Sequence, residues 1–79
     1  MNLDEQRYFD DARDMFLSAG WRQFIEELET WADSITFDSC NSSDEFWKAK
    51  GALSSIRRAL RYEDMVKQAE QEADDESYT

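Results

Sequence analysis

Histidine and proline are absent from this sequence, which contains only one cysteine and two glycines. Cys40 has no second thiol to pair with, so no internal disulfide can form, and the lack of histidine removes common ligands of a structural zinc site. A Ser/His/Asp set and a glycine-rich phosphate loop are also missing. We therefore expect no enzymatic activity, no metal site and no cofactor.

Long apolar runs are missing as well. No stretch approaches the roughly 18 residues of a membrane-spanning helix, and the acidic N-terminus does not resemble a signal peptide. We therefore expect no membrane association. A lone thiol without an export signal is typical of a reducing compartment, so we expect a cytoplasmic location.

Basic residues are few, and the formal net charge is −10. The charge is unevenly placed, because residues 1–44 hold eleven acids and three bases whereas residues 45–62 hold one acid and five bases. Residues 63–79 are acidic again. Direct binding to nucleic acid is disfavoured, since phosphates would meet a negative field over most of the surface.

The apolar periodicity of the first half changes phase at Gly20. Apolar residues up to Ala19 share one helical stripe, and those after Gly20 share a second stripe that an unbroken helix would place on its opposite side. Glycine suits the left-handed position just past a helix end, so a break there would let both stripes face one core. We predict helices at about 4–18 and 21–36 with a corner at 19–20, and a single kinked helix is the alternative.

The second half gives clearer helix signals. A polar, non-periodic loop at 36–41 is followed by Ser42 and Glu45, which have the spacing of a capping box. These features predict a third helix at about 43–60. A second change of phase then indicates a fourth helix, or a bend, at about 62–72.

These patterns predict an all-α fold, a compact three- to four-helix bundle. A single helical domain is predicted at 1–71, followed by an acidic flexible tail at 72–79. A chain this short buries only about 60% of its surface, so it depends on good helix packing or on a partner subunit. The predicted core is largely aromatic and comprises Phe9, Phe16, Phe24, Leu28, Trp31, Phe46, Leu53, Ile56 and Leu60.

The third helix carries the basic stretch. Lys50, Arg57 and Arg61 share one line of this helix, with Trp47 and Arg58 beside them. Trp and Arg are enriched at the centres of protein interfaces. The alternative is that this helix only neutralises its acidic neighbours, with Trp47 packed on the chain that follows it. The predicted partner-binding residues are Trp47, Lys50, Arg57, Arg58 and Arg61, and Trp21 if it lies outside the core.

The opposite side of the third helix carries small residues, namely Gly51, Ala52, Ser55 and Ala59. Small side chains allow a second helix to approach closely. That neighbour could be the first helix of the same chain or the third helix of a second copy.

The acidic helix faces permit two interpretations. They could imitate the phosphates of DNA and occupy the binding groove of a nucleic-acid enzyme, or they could only keep a small protein soluble. The residues of this mimic face are Asp10, Asp11, Asp14, Glu26, Glu27, Glu29 and Asp33. Paired carboxylates can also act as acid and base, but solvated faces do not separate their pKa values.

Two segments, "LSAGWRQFIEELE" at 17–29 and "DEFWKAKGALSSI" at 44–56, resemble small acidic helical proteins of tailed phages of the podovirus type. The resemblance implies a phage origin, with the chain in the host cytoplasm or in the virion. It implies either a minor virion component or an accessory factor that acts on a host protein. No functional residues carry over from this group.

The leading hypothesis is a non-enzymatic protein–protein interaction module, encoded by a phage, that self-associates or docks on a larger virion or host protein. The alternative is an acidic DNA-mimic inhibitor of a host nucleic-acid-binding enzyme. An RNA-binding module that uses the basic third helix is a weaker third hypothesis.

Overall fold

A computed structural model describes the backbone of residues 1–77 and the side chains of residues 1–75. Within these residues the chain forms four α-helices and no strand. The helices are α1 (Leu3–Phe16), α2 (Ala19–Ser34), α3 (Ser43–Leu60) and α4 (Tyr62–Ser77). The predicted all-α bundle is confirmed with four helices, and α3 has the predicted boundaries.

Ser18 forms the corner between α1 and α2. It is extended, with φ −75° and ψ 151°, and this conformation ends the helical run. Its hydroxyl donates to the carbonyl of Met15 at 2.6 Å and accepts from the N–H of Trp21 at 3.1 Å, so it caps both helix ends. Gly20 lies inside α2 without a positive φ, so the predicted left-handed corner at 19–20 is wrong. Serine takes this role because its oxygen can satisfy a first-turn N–H, which glycine cannot do.

A single residue, Arg61, separates α3 from α4. Its N–H bonds to the carbonyls of Arg57 and Arg58, and its own carbonyl accepts from Met65, so the chain bends without a loop. α4 then continues to Ser77, beyond the predicted end near residue 72. Residues 72–77 of the predicted acidic flexible tail are helical, and residues 78–79 of it lie outside the described residues.

Side-chain caps start the other helices. Asn2 accepts from the N–H of Glu5 at 2.8 Å and begins α1. Ser42 accepts from the N–H of Glu45 at 3.2 Å, as the predicted capping box requires. The Glu45 carboxylate reaches back to the N–H of Asn41 at 2.7 Å and so holds the end of the loop against α3.

The four helices form two antiparallel pairs. α1 packs on α4 and also contacts α2 near their corner, and α2 packs mainly on α3. The molecule measures 54 × 30 × 14 Å. The longest helix, α3, accounts for only about 27 Å of that length at 1.5 Å per residue, so the two pairs lie end to end. The stripes of α1 and α2 therefore face different helices, and the prediction that both cover one core is wrong.

The α1/α4 pair contains the clearest core of the molecule. Phe9, Ala12 and Val66 form a buried cluster, with Met1, Phe16 and Ala73 packed against it. Ion pairs accompany this core. Arg13 contacts both Asp10 on its own helix and Glu70 on α4, and Lys67 lies 2.9 Å from Glu63.

The α2/α3 pair buries less. Its buried hydrophobic side chains among the described residues are Leu28 and Leu53. Three aromatic residues of the predicted core lie at the surface instead: Phe24 is 42% exposed, Trp31 54% and Phe46 36%. The prediction failed for these residues because a helix packed on one neighbour covers a narrow stripe, and these rings lie at its margins.

An aromatic cluster joins the two pairs. The ring of Phe16 lies 5.0 Å from that of Trp21 and 5.9 Å from that of Tyr62, and Phe24 contacts Trp21 at 5.8 Å. The hydroxyls of Tyr8 and Tyr62 lie 3.4 Å apart. This hydrogen bond to Tyr8, together with the repulsion of two phenolates and slight burial, raises the pKa of Tyr62 above its ordinary value.

Candidate docking surfaces

Apolar side chains of this protein are more often exposed than buried. Among the described residues, eleven large hydrophobic side chains are at least 36% exposed, while five hydrophobic residues are buried. No described polar or charged side chain is buried. Isolated exposed hydrophobic residues are common, but contiguous patches mark contact sites. The exposed side chains that lie next to one another therefore define the candidate contact sites.

The first patch, named here the aromatic tip, consists of Phe37, Phe46, Trp47 and Lys50 at the loop end of the α2/α3 pair. Phe46 lies between its two aromatic neighbours, 5.1 Å from the ring of Phe37 and 5.5 Å from the ring of Trp47. The ammonium of Lys50 lies 5.1 Å from the Trp47 ring centre, within the range of a cation–π contact. Trp47 is nevertheless 61% exposed, so most of its surface is open to a partner.

This exposure decides one question that the sequence left open. The alternative interpretation packed Trp47 on the chain from Tyr62 onward. Trp47 lies in the first turns of α3, whereas Tyr62 begins α4 after Arg61, about 22 Å further along the axis of α3. That part of the alternative is wrong.

A second surface, named the basic groove, lies near the end of α3 and is lined by Ser54, Arg57, Leu60 and Arg61. Its volume is about 500 Å³. The described salt bridges lie within and between α1 and α4, and none of them includes a cation of α3. The charges of Arg57 and Arg61 are therefore available to an anionic partner.

The third surface, named the apolar groove, lies where α2, α3 and α4 meet. Its volume is about 410 Å³, and its lining consists of Trp21, Phe24, Ser55, Arg58, Ala59, Tyr62 and Met65. The lining contains no carboxylate. The small residues Ala52 and Ser55 of α3 are exposed beside it, and α1 packs elsewhere. The first helix is therefore not the neighbour of this small-residue face, and that option is wrong.

The fourth surface, named the acidic groove, lies on the other side of α2 and has a volume of about 470 Å³. On the helical wheel, Phe24 lies on one side of the buried Leu28, while Ile25 and Glu29 lie on the other. The lining of this groove is partly apolar, and its charged residues are four acids and one cation, namely Glu26, Glu29, Glu63, Asp64 and Arg22.

All seven residues of the predicted mimic face are exposed, but they are spread over α1 and α2. Asp10 is held by Arg13. The remaining six form no described salt bridge, and of the seven only Glu26 and Glu29 line the acidic groove. The mimic face is thus a set of separate carboxylates along two helices and not one cluster.

The predicted partner-binding residues also fall in different places. Trp47 and Lys50 meet at the aromatic tip, Arg57 and Arg61 line the basic groove, and Arg58 and Trp21 line the apolar groove. Trp21 is half-buried in the aromatic cluster, so only part of it is available. These residues form three surfaces and not one.

The sequence reasoning missed several exposed residues of these surfaces. Phe37 is 41% exposed and belongs to the aromatic tip, and Met65 is 49% exposed in the apolar groove. One signal was available for the tip, because Phe46 and Trp47 are adjacent and lie about 100° apart on a helix. A helix with one neighbour cannot bury both. No comparable signal in the sequence marks Met65.

No protein-family model matches this chain, and no curated protein or solved structure has significant similarity to it. The resemblance to small phage proteins therefore stays a prediction. None of the described helices combines the length and the apolar character that crossing a bilayer requires. The four surfaces are therefore the features from which a function is proposed below.

Proposed function

We propose that this chain is a non-enzymatic protein–protein interaction module that self-associates or docks on a larger protein. The observation that supports this proposal most directly is the aromatic tip, with Trp47 61% exposed beside Phe37 and Phe46. Exposed aromatic side chains held by their neighbours lose little freedom on binding and bury a large area. In the phage context that the resemblance implies, the larger protein belongs to the virion or to the host.

The tip has the layout of an interface centre. Lys50 holds one side of the Trp47 ring, and Phe46 packs edge-on against it at 77°, so the indole is oriented before any partner arrives. Residues that dominate binding energy tend to be such pre-positioned Trp, Tyr and Arg side chains. We assign Trp47 as the central contact and Lys50 as its support.

A contact role without catalysis is supported by the state of the charged groups. A carboxylate pair needs at least one desolvated member before the two pKa values separate. Within residues 1–75 no charged side chain is buried. The same residues contain no group of three or more acids or thiols arranged to hold a metal ion.

This proposal can be tested by affinity capture with a tagged form of the protein. Wild type and Trp47→Ala are compared in lysate from infected or host cells, with quantitative mass spectrometry of the captured proteins. We expect Trp47→Ala to reduce capture of a specific partner by about tenfold or more, the size of a typical hot-spot effect. Leu17→Ala is the matched control, because Leu17 is apolar and 80% exposed but lies outside all four surfaces.

Equal capture by wild type and Trp47→Ala would remove the tip from the proposal. If wild type captures no specific partner and also stays monomeric at every concentration tested, the proposed function as a whole is wrong. Circular dichroism of both variants shows whether the helices are intact, so that a loss of capture is assigned to the surface and not to unfolding.

The DNA-mimic function is the second candidate. It is favoured by Glu26, Glu27, Glu29 and Asp33, which are exposed on α2 and make no described salt bridge. Such a mimic binds a cationic groove, so its binding weakens as salt rises. Reversal of Glu26, Glu27 and Glu29 to Lys should abolish it. If this triple variant keeps its partner while Trp47→Ala loses it, mimicry is wrong.

A further inference from the structure

We propose that a second copy of this chain covers the apolar groove, so that the protein forms a two-fold symmetric dimer through α2, α3 and the start of α4. This inference rests on the proposed function and names the partner of one of its surfaces. It is independent of the aromatic tip, which lies at the other end of α3 and stays open in such a dimer.

The character of the groove favours a protein surface as its occupant. Phe24, Tyr62 and Met65 are 42%, 39% and 49% exposed along its wall. Removing such partly exposed apolar surface from water is the main source of affinity between subunits. The groove is open and shallow, so a broad protein face fits it better than a small molecule.

Charge excludes the acidic groove as the contact between two copies and permits the apolar groove. Two chains of net charge −10 repel each other, so they can meet closely only where carboxylates are absent. The acidic groove brings Glu26, Glu29, Glu63 and Asp64 to its rim and is unsuitable. The apolar groove has no carboxylate in its lining, and its single charged residue is the cation Arg58.

The chain as a whole exposes more area than a compact monomer of its mass. The chain exposes 6389 Å². A typical folded monomer of this mass exposes about 5,000 Å², so the excess is about 1,400 Å². Each partner of a standard interface buries about 800 Å². One copy therefore has more uncovered surface than such an interface requires.

The side of α3 that borders the groove allows a second helix to approach. Ala52, Ser55 and Ala59 present short side chains there, and a Cβ added at Gly51 would meet nothing within 4 Å. Helices with small residues at their contact pack at the short end of the usual range of interaxial distances, which is roughly 8–10 Å. A two-fold axis through this face places the same patch on both sides of the contact. It also brings Arg58 of each copy to the aromatic wall of the other, where a cation–π contact is favourable.

Sedimentation velocity over a wide range of protein concentration tests the proposal, with wild type at low and at high salt. We expect a monomer–dimer equilibrium whose dimer becomes more stable as salt rises, because screening reduces the repulsion between like-charged chains. A charge-driven contact between an acidic and a basic surface would show the opposite salt dependence.

Substitution then locates the interface. Met65→Asp places a carboxylate in the groove and should weaken dimerisation at least about tenfold, because an unpaired charge would be removed from water. Ser55→Glu, on an exposed helical position, should do the same by charge and bulk. Leu3→Asp adds the same charge at a side chain that is 79% exposed outside the groove, and it should change the dimer constant by less than about threefold.

Three outcomes would overturn the dimer: wild type that is monomeric throughout, a dimer that weakens with salt, or a dimer that Leu3→Asp disrupts as strongly as Met65→Asp. A monomeric Met65→Asp that still captures a Trp47-dependent partner supports both proposals, on separate surfaces. A monomeric wild type that captures such a partner rejects the dimer and leaves the proposed function standing.

Discussion

The two helix pairs of this molecule differ in how they use their apolar residues. The α1/α4 pair buries Phe9, Ala12 and Val66 together and adds the ion pairs of Arg13 and Lys67. The α2/α3 pair contains more aromatic residues, yet its buried hydrophobic side chains are Leu28 and Leu53, and none of the described salt bridges lies within it. Its aromatic rings lie at the tip and along the apolar groove, except for Trp31, which is exposed elsewhere on α2.

This difference indicates a division of roles. A pair that places its aromatic rings in a core uses them for its own stability, whereas a pair that exposes them leaves their burial to a partner. The α1/α4 pair therefore contains the buried cluster that stabilises the fold. We propose that the α2/α3 pair is the part that contacts other molecules, because both the aromatic tip and most of the apolar groove belong to it.

The largest expected effect contrasts one ring from each pair. Phe9→Ala should lower the free energy of unfolding by about 3 kcal/mol or more, because it removes a buried ring and leaves a cavity. Trp31→Ala should lower it by less than about 1 kcal/mol, because that indole is 54% exposed. Urea denaturation followed by circular dichroism, at one protein concentration, measures both. Equal losses would contradict the division of roles.

Two substitutions at the corner between the pairs should change the free energy of unfolding by smaller amounts and in opposite directions. Ser18→Ala should lower the free energy of unfolding by about 1 kcal/mol, because it removes the cap of α2. Gly20→Ala should raise it by about 0.5 kcal/mol, since Gly20 is helical and a Cβ there would meet nothing within 4 Å. Thermal and urea denaturation check both. If Gly20→Ala destabilised the protein instead, the result would support the predicted left-handed conformation of Gly20.

The ion pairs provide a third contrast. Arg13→Ala should destabilise the protein at low salt, because Arg13 contacts Asp10 and Glu70, and high salt should remove most of the difference from wild type. Arg57→Ala should have almost no effect on stability at either salt concentration, because Arg57 has no described salt bridge. Matched urea titrations at two salt concentrations test this. A salt-dependent loss in Arg57→Ala would show that α3 neutralises its neighbours after all.

The smallest expected effect concerns the junction. The hydrogen bond that neutral Tyr62 donates to Tyr8 raises the pKa of Tyr62, so the folded state favours the neutral phenol. The resulting stability is complete below the unfolded pKa of about 10 and is lost as pH rises through the higher folded value. Tyr8→Phe should lower the Tyr62 pKa, as followed by tyrosinate absorbance in a Tyr78→Phe background. An unchanged titration would mean that the two hydroxyls are not coupled.

Some features were predictable because they depend on neighbours in sequence. The capping box of Ser42 and Glu45 and the apolar stripe of α3 gave the boundaries of that helix correctly. The break near residue 20 was also predicted, but its position was not, because Ser18 and Gly20 both suit a helix end and only the hydrogen bonds distinguish them. The end of α4 was missed because acidic composition lowers the apolar signal without preventing a helix.

The candidate surfaces were less predictable. Trp47 and the cations of α3 were identified from helical spacing, but their separation into three surfaces depends on which helix lies opposite. Phe37 joins the tip only because the loop brings it back to Phe46. Met65 lines the apolar groove only because α4 continues past the bend at Arg61.

Caps, periodicity and charge are local properties, so the residues alone predict a helical, acidic protein that is rich in amphipathic stripes. The pairing of α1 with α4 and of α2 with α3 depends on tertiary packing. A stripe of apolar residues has the same spacing whether it faces a wide core or a single neighbouring helix, and the number of neighbours sets how much of it is covered. That pairing is the reason why the aromatic rings of α2 and α3 lie at the surface.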